Sequence, residues 1–293
     1  MSAARSRFLL FAAAFLFSTG GAAIKGCHLA SWQIASFRSG VAALTVALLL
    51  PESRRIWHPR ILLLGVAYAA TVAFFVLATK LTTSAQAIFL QSTAPLYLLF
   101  LGPLVLHERL RRSQLLMVAL VAVGAILLLF GEQRASRTAP NPVAGKWLGA
   151  LCGLTWAITM TGFRWLTKGS SKNGVDTDSP AAVVVAGNII ACLACLPMAL
   201  PVSHAAPADG AVILYLGIFQ IGLAYMAVTR SVRRVPALEA TTLLLLEPVF
   251  NPVWTWLFYG ETLTPATLAG GALILCATFG STLYQSQQSS PAT

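Results

Sequence analysis

The sequence predicts an all-α membrane protein: ten transmembrane helices, arranged as two five-helix repeats of inverted topology, with the N and C termini cytoplasmic. Three observations predict it. The first is composition. Of 293 residues, 57% are hydrophobic and 10% charged, and the mean hydropathy is +0.76. A soluble domain carries about 25% charged residues, so this chain cannot cover a water-facing surface and lipid must be its solvent. The second is a series of ten apolar segments, each near the roughly 20 residues that cross a hydrocarbon core. The third is an internal match between the two halves of the chain.

The ten segments run approximately over 7–26, 31–50, 60–80, 84–106, 113–131, 146–167, 179–200, 210–230, 236–259 and 265–284. Basic or Pro/Gly-rich stretches separate them. Arg5 and Arg7 precede the apolar run Phe8–Phe17 in the manner of a signal peptide, but similar segments follow it, so it reads as an uncleaved first span. The longest polar stretches, GEQRASRTAPNP and TKGSSKNGVDTD, leave no room for a soluble domain.

Lys and Arg set the orientation. A cytoplasmic N-terminus places thirteen of the 20 basic residues inside and five outside, with Arg38 and Arg164 within spans. That bias follows the positive-inside rule and puts both termini in the cytoplasm of a multi-pass bacterial inner-membrane protein. The same rule accounts for the net charge of +11. No RNP-like segment, zinc-finger spacing or basic helix points to nucleic acid.

The repeat emerges in three blocks. STAPLYLLFLGPLVLHERL resembles LLLEPVFNPVWTWLFYGETL at an offset of 153, pairing Pro95 with Pro248 and Glu108 with Glu261. AYAATVAFFVLATK aligns with GIFQIGLAYMAVTR at 150, pairing Lys80 with Arg230. AAAFLFSTGGAAIK aligns with CGLTWAITMTGFR at 139, pairing Phe17 with Trp156 and Lys25 with Arg164. The halves are 1–139 and 140–293. Five spans is an odd number, so the second copy enters the membrane upside down. Inverted repeats are a transporter architecture, with binding near the midplane and alternating access by rocking.

Ten spans in two repeats, with P-x(12)-E-R-L closing one fourth helix and L-E-P-V-F then G-E-T-L in its partner, resemble the EamA family of the drug/metabolite transporter superfamily. The resemblance covers nearly the whole chain. It implies a central cavity lined mainly by helices 1, 3, 4, 6, 8 and 9, and an inner-membrane secondary carrier exporting small metabolites. Amino acids, including aromatic ones, are the implied substrate class. An importer or exchanger of another solute (a drug, nucleobase or sugar derivative) and a lipid-handling protein are the alternatives.

Ionisable groups inside a membrane are costly and point to function. Glu247 falls near the middle of span nine, opposite Ala94 in the other repeat, so the shared fold does not require its charge. It can bind a substrate amine or a proton, or serve as an interhelical hydrogen-bonding group. Arg38, in span two, can attract a carboxylate or balance Glu247. Alternatively it snorkels to the outer interface or pairs with helix carbonyls. Glu239 occupies the inverted position of Gln86. Glu108 and Glu261 end spans four and nine as interfacial anchors.

Pro95, Pro248 and Pro252 interrupt spans four and nine, as rocking hinges or as static kinks. The polar candidates for the cavity are Ser18, Thr19, Gln86, Gln91, Gln220 and Asn251. Tyr68, Phe75, Trp156 and Tyr225 supply aromatic surface, which lipid contact or core packing would also explain. Gly124, Gly270 and Gly271 suit close helix approach.

No catalytic motif, P-loop or nucleotide fingerprint is present, so an enzyme and a cofactor are not expected. Cys192-x-x-Cys195 lies in an apolar helical run with no His at a zinc spacing, so neither a disulfide nor a metal is expected. The expected partners are a small-molecule substrate and the bilayer. The sequence leaves the oligomeric state open.

Overall fold

The computed structural model describes residues 3–106, 112–173, 179–203, 205–231, 235 and 237–289. Glu108, Arg109, Arg111, Arg233 and Arg234 lie outside the described residues. The described chain is helical, with a single bridge between Ser136 and Ala139. The order is α1 (Ala3–Ser18), α2 (Gly20–Gly26), α3 (Ser31–Leu49), α4 (Pro59–Leu81), α5 (Ser84–Gln91), α6 (Ala94–Leu101), α7 (Arg112–Phe130), α8 (Pro142–Asn173), α9 (Pro180–Ala199), α10 (Pro207–Leu214), α11 (Ala224–Ser231), α12 (Ala237–Leu244), α13 (Leu246–Tyr259) and α14 (Pro265–Ser289). Prolines open α4, α9 and α10, where the missing N–H costs nothing and the fixed φ suits a first turn.

Among the described residues, eight helical stretches are long and apolar enough to cross a membrane: Ala4–Gly26, Ser31–Leu49, Pro59–Leu81, Ser84–Val105, Pro142–Leu166, Pro180–Ala199, Pro207–Ser231 and Pro265–Leu283. A shorter apolar helix covers Leu115–Phe130. The sequence segment 236–259 is divided between α12 and α13 at Leu245.

The breaks have local causes. α5 gives way to α6 at Ser92 and Thr93, and Pro95 lies in the first turn of α6. Leu245 and Pro248 do the same between α12 and α13. Proline cannot donate to the preceding turn, and these two breaks coincide at the offset of 153 between the halves. Residues Tyr215–Leu223, between α10 and α11, form a π-helical stretch.

Packing also comes in symmetric pairs. α3 lies on α9 and α7 on α14, each joining equivalent spans of the two halves. α4 packs on α8, and α1 packs correspondingly on α11. α7 and α14 meet backbone to backbone, since a Cβ on Gly124 would lie 2.7 Å from the Gly270 carbonyl oxygen and one on Gly270 would lie 2.8 Å from that of Gly124. Gly271 abuts the Phe89 ring. Gly270→Ala is expected to destabilise the protein by about 1–3 kcal/mol, the usual cost of overpacking. A thermal melt in detergent checks it.

The two largest of the apolar clusters share the helices α3, α4 and α9. One contains Ile24, Ile34, Phe75, Ile88, Cys152, Cys195 and Leu216. The other contains Val46, Ile61, Leu64, Tyr68, Leu166 and residues 181–186. These three helices contribute to both clusters at different levels: α3 through Ile34 and Val46, α4 through Val76 and Ile61, α9 through Cys195 and Val183. The polar residues at mid-helix therefore fall between the cores.

Candidate functional site

The layer between the cores holds Arg38 of α3, Thr71 of α4, Thr155 of α8 and Asn188 of α9. Thr71 Oγ1 donates to Thr155 Oγ1 at 2.9 Å. Asn188 donates to the Val184 carbonyl at 2.9 Å. Arg38 is 2% exposed, and its Nη2 donates to the Val72 carbonyl at 3.0 Å. The snorkelling reading of Arg38 is thus corrected. From the middle of α3 the Val72 carbonyl on neighbouring α4 is within reach, so the guanidinium turns inward. The alternative pairing with a helix carbonyl is the one the geometry shows.

Aromatic rings line the same layer. Tyr68 and Tyr225 meet edge-on at 6.1 Å between centroids, and Tyr225 meets Phe17 at 5.4 Å. Tyr68 also interacts with Asn188. Trp156 packs at the edge of the second cluster, which contains Tyr68, whereas Phe75 is buried in the first.

Glu247 sits in the first turn of α13, after the break. It is half-buried. Among the described residues it has no ion-pair partner. Tyr225 and Cys152 each lie within electrostatic range of both Glu247 and Arg38.

Several candidates surround the break in the first span. Thr19 separates α1 from α2 and shares a hydrogen bond with the Tyr215 hydroxyl at 2.8 Å. Ser18 Oγ accepts from Trp254 Nε1 at 2.9 Å. Gln220 packs against Gly20, where a Cβ would lie 2.8 Å from its Nε2. Ser84 Oγ donates to Asn251 Oδ1 at 2.5 Å, and Gly21 leaves room for that pair. Gln91 is half-buried in α5 beside the Ser92–Thr93 break. Among the buried polar atoms without a protein partner are Arg38 Nε and Asn188 Oδ1 in the layer between the clusters, and Gln220 Oε1 and Asn251 Nδ2 beside the broken first span. Buried polar atoms are normally satisfied, so these exceptions are candidates for contact with a polar solute.

Other candidates lie away from this layer. Gln86 hydrogen-bonds Thr82 and donates to Thr267 Oγ1 at 3.2 Å, at the end of the bundle that carries Lys25. Glu239 pairs with Arg7 at 2.6 Å at the opposite end, with both side chains solvent-accessible. Pro95 and Pro248 begin half-helices, and Pro252 lies inside α13.

Sequence reasoning missed one polar cluster. Glu261, expected at the interface, is buried, and its Oε1 lies 3.0 Å from Lys25 Nζ. The side chains are 1% and 3% exposed. Glu261 Oε2 accepts from the Ser84 N–H at 3.0 Å. Lys25 Nζ also donates to the carbonyls of Thr82, at 2.7 Å, and Thr138. Gly260, in the left-handed region at φ 64°, turns the chain so that Glu261 points back at the bundle. Only glycine adopts that conformation freely, and the G-E pair was the available signal.

All five cysteines are free, and Cys192 and Cys195 stay on one helix. Burial pushes the Cys27 thiol, just past α2, up to about 11.

The EamA-like transporter family model matches residues 5–130 and 143–283. The chain is 24% identical over 273 residues to the pseudopaline exporter CntI of Pseudomonas aeruginosa (strain UCBPP-PA14), covering 90% of this chain and 91% of that protein. It is 29% identical over 195 residues to the threonine/homoserine exporter RhtA of Escherichia coli (strain K12), covering 65% and 62%. An uncharacterized transporter of Archaeoglobus fulgidus is 28% identical over 228 residues, 76% of each chain. One solved crystal structure aligns with a TM-score of 0.61 at 18% identity, over 99% of this chain and 100% of its own, a likeness of fold. The chain belongs to the EamA-like transporter family.

Proposed function

We propose that this multi-pass inner-membrane protein is a secondary carrier that exports a small zwitterionic metabolite, an amino acid being the favoured class. In this reading α7 serves as the fifth span and α12 with α13 as the ninth. That completes ten spans in two inverted halves, 1–139 and 140–293, with both termini cytoplasmic.

One observation carries the reading: the buried Arg38 cation and the half-buried Glu247 carboxylate, which has no ion-pair partner among the described residues, share the neighbours Tyr225 and Cys152. Arg38 would receive the substrate carboxylate and Glu247 its ammonium. Gln220, Asn188, Asn251 and Gln91 would complete its hydrogen bonds, and Tyr68, Tyr225 and Trp156 would pack its apolar part. Few convergent polar groups in an otherwise apolar pocket suit a small amphipathic solute. The exporters among the relatives support the direction, and one of them is named for two amino acids. The helix breaks on either side of the layer are the expected hinges.

The test uses purified protein in liposomes preloaded with single radiolabelled amino acids, aromatic ones included, with and without a pH gradient. Saturable efflux of one class is expected. No efflux of any amino acid from folded protein would remove the substrate class and leave an importer or exchanger of another solute, or a lipid-handling protein, to be tried.

A further inference from the structure

We infer that the buried Lys25–Glu261 ion pair is the gate that closes the transport path at the end of the bundle holding the 131–141 loop. The inference rests on the carrier reading above. Positive-inside orientation places this end outside.

The pair separates two polar spaces. Beyond it lies a cleft of about 590 Å³ whose walls include Thr83, residues 132–138, Tyr259, Gly260, Glu261 and Thr264. Glu261 is itself part of that wall, and so is Thr138, whose carbonyl accepts from Lys25. On the membrane side lie Ser84, Asn251 and Gly21 in mutual contact. The unpartnered Asn251 Nδ2 lies there too. The ion pair thus stands between the cleft and the polar residues of the broken first span.

Its partners come from both halves. Lys25 ends α2, Thr82 and Ser84 form the α4–α5 turn, and Glu261 follows α13. The halves cannot separate here without breaking it. An apolar plug in this place would hold the closed form at the expense of the open one. A buried ion pair behaves differently, since its desolvation cost offsets much of its attraction. When water from the cleft reaches both charges, each is solvated and little is lost. Such an element has two arrangements of similar free energy, as a switching contact requires. A static anchor predicts no change in access when the pair is removed.

The experiment reads access directly. Ser84→Cys keeps the backbone N–H that Glu261 uses and places a thiol immediately behind the pair. Spheroplasts are treated with a membrane-impermeant maleimide, and labelling at position 84 is followed by mass spectrometry. Labelling is expected to be slow in Ser84→Cys alone. Adding Glu261→Gln, which leaves the buried Lys25 charge without its partner and favours the form in which water reaches it, should speed it roughly tenfold, the population shift that about 1.4 kcal/mol of lost closure produces. Glu261→Asp, which keeps the charge but shortens its reach, replaces it if it fails to insert. Buried Cys195 should stay unlabelled throughout. Unchanged labelling at position 84 in folded protein makes the pair a fixed anchor and overturns the inference. Labelling of Cys195 in step with position 84 also overturns it, because the pair then holds the fold together. No substrate is needed, so a failed amino-acid assignment leaves this result standing.

Discussion

Glu247→Gln is expected to reduce saturable efflux by roughly 10- to 100-fold, the loss of a charge-assisted hydrogen bond worth about 1.5–3 kcal/mol, without lowering thermal stability. The two side chains have the same shape, so packing around α13 is preserved. Glu247 has no ion-pair partner among the described residues, so the fold loses no such contact. The equivalent position of the other half is Ala94, where a half-helix begins without any charge. Efflux rates and a detergent melt on the same preparation separate the outcomes. A lower melting temperature with proportionate loss of activity would assign Glu247 to structure. Unchanged efflux would remove it from the site. If a proton moves with the substrate through this group, the Gln variant should also lose its response to a pH gradient.

Arg38→Met should have the second large effect, and in opposite directions for stability and function. The guanidinium is buried, donates to one carbonyl and leaves Nε unpartnered. No carboxylate lies within ion-pair distance among the described residues. Replacing buried charges by an apolar side chain of similar volume is often neutral or stabilising by about 1–4 kcal/mol. The variant should therefore melt at the same temperature or higher, while efflux of a carboxylate-bearing substrate falls at least about tenfold. Arg38→Lys keeps the charge but not the planar fork and should recover only part of the activity. A marked fall in melting temperature for Arg38→Met would show that the residue is retained for packing and would take the carboxylate receptor out of the site.

Much of this architecture is legible in the sequence because lipid imposes simple rules. Apolar length marks the spans, and the prolines paired at 95 and 248 mark two equivalent breaks. Side-chain direction is less legible. Arg38 is long enough either to reach the interface or to turn inward, and only the position of α4 decides which. Lys25 and Glu261 are far apart in the chain, and nothing near either one announces a partner. The break at Thr19 is similarly hidden, since its counterpart in α8 is continuous. The tyrosines were visible as aromatic residues in the right spans. Their meeting, and the separation of Phe75 into another core, depend on helix rotation, which hydropathy does not encode.

The broken helices bear on how the protein is made. α5, α6 and α12 have eight residues each, about 12 Å of helix, under half of a hydrocarbon core of about 30 Å. None can cross lipid alone, and the backbone groups freed at each break need protein neighbours. For α5 and α6 a principal neighbour is α8, which belongs to the other half and leaves the ribosome later. α5 and α6 therefore gain that neighbour only after synthesis has passed the midpoint of the chain, and the first half is expected to complete its packing against the second rather than by itself.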